Sequence, residues 1–206
     1  MPSSEEVAAA MPAARRGRPG YDQRQILEIA VQVFIEHGYD ATSVASLAER
    51  LGLSKSALYH HYASKERLLE LALDEAMGSL EAVLREPGAT AGSAGDRLEY
   101  VLRGAVRVLV DKLAYVTLLL RVRGNSDVER AALQRRRGFD DQITDMVRAA
   151  QAEGTVRADV GAAVATRLLF GMVNSIVEWY RPGGPEGAEA LADDVLTIAL
   201  DGLRTR

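Results

Sequence analysis

The chain has 206 residues, 48% hydrophobic and 26% charged, a balance that supports one or two globular domains and excludes a disordered polymer. It contains no Cys, which excludes disulfides, thiolate metal sites and thiol catalysis. With 25 basic against 29 acidic residues the net charge is -4, which speaks against a surface that grips nucleic acid over its whole extent.

Residues 1–20 are rich in Ala, Pro, Arg and Gly and are expected to form a flexible basic arm. Its acids precede its apolar stretch and its arginines follow, the reverse of a secretory signal. The longest largely apolar run, Leu113 to Leu120, falls far short of the ~20 residues a spanning helix needs. A cytoplasmic protein with no membrane partner is the expectation.

Helical periodicity begins at residue 21. Ile26, Leu27, Ala30, Val33, Phe34 and His37 share one face, and Gly38 is a natural stop. Thr42 and Ser43 can cap a short second helix with Val44, Leu47, Ala48 and Leu51 inward; Gly52 ends it. Ser54 can cap a third over Lys55 to His61, and Ser64 a fourth that keeps its apolar stripe to Pro87. Glu86 to Gly95 reads as a loop. Further helices are expected at about 96–113, 115–123, 127–153, 160–180 and 187–204, separated by Gly124-Asn125, Gly154 and the Arg181–Gly187 turn. No segment alternates with period two, so the fold class is all-α, with about nine helices.

The second and third helices are both short and are joined by LGLS, the pattern of a helix-turn-helix. The second helix of such a unit lays its N-terminal half in the DNA major groove. That half here is Ser54, Lys55, Ser56 and Ala57, followed by Tyr59, His60 and His61, all able to hydrogen-bond. No acid occurs from Leu51 to Lys65, and local charge decides whether phosphate is repelled.

The run TSVASLAERLGLSKSALYHHYASKERLL (Thr42 to Leu69), preceded by ILEIAVQVFIEHGYDATS, resembles the DNA-binding domain of the TetR family of bacterial repressors. The resemblance covers about fifty residues without a gap. It implies that Thr42 and Ser43 form a phosphate-facing cap, that Lys55, Tyr59, His60 and His61 touch phosphates or base edges, and that Lys65 meets a phosphate at a helix N-terminus. For Tyr59 and His61 packing against the core is the other reading. In the arm, RGRP (Arg16 to Pro19) is similar to the core of an AT-hook, so Arg15, Arg16 and Arg18 are candidates for the minor groove; a plain Arg-containing tail is the alternative.

The family resemblance implies three units: the arm, a DNA-binding domain over 21–67, and a ligand-binding and dimerisation domain over 68–206. Leu168, Met172 and Ile176, with Leu191, Val195, Ile198 and Leu203, lie on wide apolar faces of the last two helices and are the expected homodimer contacts; a monomer's own core is the other use for some of them. Leu102, Ala105, Leu109, Leu119, Phe139, Ile143, Met146, Phe170 and Asn174 are candidates to line an effector cavity, or are simply core. FGMVNSIVEWYRPGGP (Phe170 to Pro185) resembles the C-terminal part of TetR-type regulators of fatty-acid, sterol and aromatic-acid breakdown, several of which answer to acyl-CoA thioesters. Arg135, Arg136 and Arg137, with Arg121 and Arg123, then either face the phosphates of such a ligand or form a solvated face.

No phosphate-binding loop, nucleophile elbow or zinc-binding motif occurs, and the adjacent His60 and His61 point to different faces. The expectation is a non-enzyme without cofactor: a homodimeric repressor on a palindromic double-stranded operator, released by a small hydrophobic effector. The alternatives are a drug-sensing repressor of an efflux gene and an effector-independent DNA-binding protein.

Overall fold

Each helix start in the N-terminal part is marked by a side chain that satisfies an otherwise orphaned backbone N–H. In the computed structural model, which describes residues 22–184 and 187–203, α1 (Gln23–His37) begins where Asp22 and Gln25 cap each other reciprocally, at 2.8 and 3.1 Å. Ser43 opens α2 (Val44–Leu51), Ser54 opens α3 (Lys55–His61) and Ser64 opens α4 (Lys65–Val83). Between α2 and α3 Gly52 adopts φ 63°, a left-handed conformation that costs a glycine little and lets the chain reverse. The expected boundary at 67/68 falls inside the first turn of α4.

The remaining elements are α5 (Pro87–Thr90), α6 (Ala94–Asp111), α7 (Leu113–Arg121), α8 (Asp127–Ala152), α9 (Ala162–Trp179) and α10 (Ala188–Leu203). No strand occurs among the described residues. The segment expected to be a loop, Glu86 to Gly95, contains α5: Pro87 at its first position is pre-set for a helical turn, and Gly88 lies against the Tyr100 ring. That turn makes ten helices among the described residues where about nine were expected. The expected α6 and α7 also begin two residues late, because Ser93 caps α6 and Lys112 is the whole junction to α7.

The core is continuous. Ile26, Phe34, Leu47 and Leu58 of the first three helices pack with Leu68, Leu69, Ala72 and Leu73 of α4. α4 continues into the larger part, where it packs on α6, α7 and α8; α6 also packs on α10, and α8 on α9. The α4–α6 crossing is close: a Cβ on Gly104 would lie 2.4 Å from Cγ1 of buried Val83. No described helix is long and apolar enough to cross a membrane.

Candidate nucleic-acid interface and effector cavity

The outer surface of α3 is polar and unencumbered. Ser54, Lys55, Ser56, Tyr59 and His60 are exposed, Ala57 and His61 partly so, while Leu58 is buried beneath them. Ser54 Oγ accepts from the N–H of Ala57 at 3.1 Å, so its side chain is used as the cap. Tyr62, which the sequence reading passed over, fixes the pose of α3: its hydroxyl donates to the Gln23 carbonyl at the start of α1, and Gln23 Nε2 donates to the His61 carbonyl at 3.4 Å. Burial pushes the Tyr62 hydroxyl pKa up.

Three expected phosphate contacts have other engagements. Thr42 is buried, and its Oγ1 donates to the Gly38 carbonyl at 2.7 Å. Ser43 is exposed and caps α2 with Ser46. Lys65 Nζ donates to the carbonyls of Tyr39 and Thr42, both at 2.9 Å, and lies 4.1 Å from the Tyr39 ring centroid. The ammonium thus stitches the α1–α2 turn from within. Tyr39, edge-on to Phe34, has its pKa pushed up to about 12 by burial and then by Glu66, so it stays a neutral platform for the cation. Arg15, Arg16 and Arg18 lie outside the described residues.

The larger part holds two adjoining cavities. An outer vestibule of about 610 Å³ lies between α8 and α9, lined by Arg136, Arg137, Asp140, Asp141, Thr144 and Arg148 on one side and by Ala163, Thr166, Arg167, Phe170, Gly171 and Asn174 on the other. An inner apolar cavity of about 30 Å³ is walled by Leu80, Ala105, Leu109, Val116, Leu119, Leu120, Phe139, Phe170 and Val173. That volume accommodates little more than one water, so the inner site is nearly closed.

Of the cavity residues anticipated above, Ala105, Leu109, Leu119, Phe139, Phe170 and Asn174 meet there. Leu102 and Ile143 are buried, Met146 is half-buried, and none of the three lines either cavity. The basic tract divides with the turn of the helix. Arg136 and Arg137 face the vestibule, but Arg135 pairs with Asp74 and Glu81 on α4, at 2.5 and 2.9 Å, which holds the Glu81 carboxyl below its ordinary pKa. Arg148 and Arg167 were not anticipated; they are far apart in sequence, and only the α8–α9 packing unites them.

Arg121 and Arg123 belong elsewhere. They line a cleft of about 380 Å³ between the end of α1 and the α7–α8 loop. Arg121 donates to the Ile35 carbonyl at 2.8 Å, and Asn125 Nδ2 donates to Asp40 at 2.8 Å. Glu129, 4% exposed, organises this loop by accepting the N–H groups of Arg123, Gly124 and Asn125 at 3.0, 2.7 and 3.0 Å. No group of His, Asp and Glu among the described residues is arranged to hold a metal ion.

On α9 and α10 the apolar outer surface includes Leu168 and Ile198, each 67% exposed, with Val164 and Trp179 at 51%. Met172 and Leu203 are partly exposed. Ile176, Leu191 and Val195 turn into the chain's own core instead, at 1, 5 and 8% exposure, because the apolar face of each helix is wide enough to be only partly covered within the chain.

A short exposed recognition helix over a buried Leu, joined to a larger helical part with a cavity, defines a helix-turn-helix DNA-binding regulator with a ligand-binding domain. Residues 26–72 match the model of bacterial regulatory proteins of the tetR family, and residues 91–203 match that of the tetracyclin repressor-like C-terminal domain. The chain belongs to the TetR family of transcriptional regulators. It is similar to the repressor KstR2 of Rhodococcus jostii, with 28% identity over 189 residues, 87% of this chain and 89% of that one. Among solved structures, SCO3833 of Streptomyces coelicolor A3, a TetR-family member, is 52% identical with a TM-score of 0.82, covering 87% of this chain and 91% of its own. The ketosteroid regulator KstR2 of Mycobacterium tuberculosis is 25% identical with a TM-score of 0.81, covering 92% and 98%.

Proposed function

We propose that the protein is a cytoplasmic, homodimeric repressor that binds a palindromic operator through residues 21–67 and is released by an amphiphilic effector bound within residues 68–206. The observation that carries the effector class is the arginine-lined vestibule set against an apolar cavity with which it shares four wall residues. The guanidinium groups of Arg136, Arg137 and Arg167 make no ion pair among the described residues, although all three face one cavity. Such a site suits a ligand with a multiply charged anionic head and an apolar acyl part, the chemistry of an acyl-CoA thioester. The likeness to a ketosteroid regulator supports an effector from lipid breakdown.

Two recognition helices must meet two half-sites about one helical turn apart, roughly 34–36 Å, and the exposed apolar faces of α9 and α10 are the surfaces that would pair the two subunits. The effector acts by binding better to a conformation whose recognition helices are mis-spaced; a coupling of about 1–3 kcal/mol weakens operator binding about 5–150-fold.

The test is a DNA shift assay on the region upstream of the protein's own gene, titrated with CoA thioesters, their free acids and unrelated hydrophobic drugs. Release by a thioester at concentrations where its acid does nothing is the expected result. Release by drugs alone assigns an efflux regulator, and binding that no ligand alters assigns an effector-independent protein.

A further inference from the structure

Four residues line both the vestibule and the apolar cavity and form the throat that a ligand bridging the two would have to pass: Arg136 and Asp140 from α8, and Phe170 and Asn174 from α9. A ligand that keeps a charged head outside and an apolar part inside must thread its linking atoms through this throat. Phe170 meets Phe139 edge-on, with ring centroids 5.6 Å apart, and closes one side. The polar side is left to Arg136, Asp140 and Asn174.

Asp140 is the unusual member. It is half-buried, yet its carboxylate makes no ion pair among the described residues. Burial raises its pKa and the more distant charges of Arg136 and Arg167 partly offset that rise, while Asp141 adds to it. A half-buried carboxylate without a donor repels a second carboxylate and is satisfied by an N–H or O–H. Arg136 would attract a free acid, but it stands one helical turn from Asp140, so the throat carries one charge of each sign. The unpaired positive charge farther out is at Arg137 and Arg167, since Arg148 pairs with Asp145.

We propose that Asp140 is a specificity-determining residue of the effector site: it turns away ligands that present a free carboxylate at the throat and accepts those whose link there is uncharged and carries a hydrogen-bond donor. A thioester followed by an amide N–H meets that description, and Asn174 can donate to its carbonyl oxygen. The proposal rests on the acyl-CoA reading of the cavity and adds to it the group that tells activated from free acid.

The experiment measures equilibrium binding to the full chain by calorimetry for octanoyl-CoA and palmitoyl-CoA, the corresponding acyl-pantetheines, which lack the phosphates, and the free acids. Wild type, Asp140→Asn and Asp141→Asn are compared, with thermal melts to confirm that all three are folded. In wild type the acyl-pantetheine is expected to bind at least tenfold tighter than its acid. In Asp140→Asn that preference collapses to threefold or less, through a gain in acid affinity, while thioester affinity changes less than threefold. Asp141→Asn, which lines only the vestibule, keeps the wild-type preference. An unchanged preference in Asp140→Asn, or none in wild type, overturns the role of Asp140 and leaves the acyl-CoA reading intact. Failure of every thioester to bind wild type overturns both.

Discussion

Lys55 and Lys65 begin successive helices and carry the same charge, but one is exposed on α3 and the other holds two carbonyls and a ring together. Their losses therefore differ in kind. Lys55→Ala is expected to weaken operator binding by about 1–3 kcal/mol and lower its salt slope by about 1, with an unchanged melting temperature. Lys65→Met is expected to lose about 1–3 kcal/mol of stability because it orphans the Tyr39 and Thr42 carbonyls. Thermal melts beside a salt series of DNA titrations separate the two; a Lys65→Met protein that melts like wild type contradicts the internal role. Asp140 gives a pH signature of its own. Its native pKa is raised above the unfolded value of 3.8, so its charge opposes folding above the raised value, and that cost disappears as pH falls below 3.8. Asp140→Asn without ligand should therefore melt higher than wild type at pH 7, with a gain that shrinks on acidification. Glu81 has the opposite sign: its pKa is lowered by Arg135, so the stability it contributes is present at neutral pH and lost as pH falls through the lowered value.

At the scale of elements, close approach of α4 and α6 depends on one missing side chain. Gly104→Ala would force Val83, stiff at χ1 and 5% exposed, against a new methyl group. Higher helix propensity returns part of the loss, so a net destabilisation of about 1–2 kcal/mol is expected, seen as a melting temperature several degrees lower. The helices were legible in the sequence because their ends are: Ser43, Ser54 and Ser64 are caps in the sequence and caps in the structure. α5 was not, since a Pro-Gly pair signals a turn as readily as one turn of helix. The cavity was only half legible. Leu109 and Ile143 have the same apolar character at helical spacing, but one borders a void and the other does not, and that depends on how several helices meet. The arginines show the same limit: neighbours along α8 are rotated by about 100°, so Arg135 pairs with α4 while Arg136 faces the vestibule.

The whole molecule has two jobs that its charge alone would not reveal. A net charge of -4 coexists with an acid-free recognition segment from Leu51 to Lys65, so a phosphate approaching α3 meets no acid from that segment. The outer faces of α9 and α10 are the other exposed investment. Leu168→Asp combined with Ile198→Asp is expected to yield a folded monomer by analytical ultracentrifugation and to abolish specific operator binding, because a single recognition helix reads half a site. A dimer that persists would move the subunit contact elsewhere. Between these surfaces runs α4, one unbroken rod of 19 residues, about 28 Å long. Lys65 at its first position grips the turn into α2, and Leu80 near its last turn borders the apolar cavity. Such a rod is a lever. If an incoming acyl group levers the Leu80 end aside by about 5°, the other end travels about 2 Å, and the same swing in each of two subunits changes the separation of the reading heads by about twice that. Sub-ångström crowding around one leucine would then be enlarged, by leverage alone, into a misfit that a rigid double helix cannot follow.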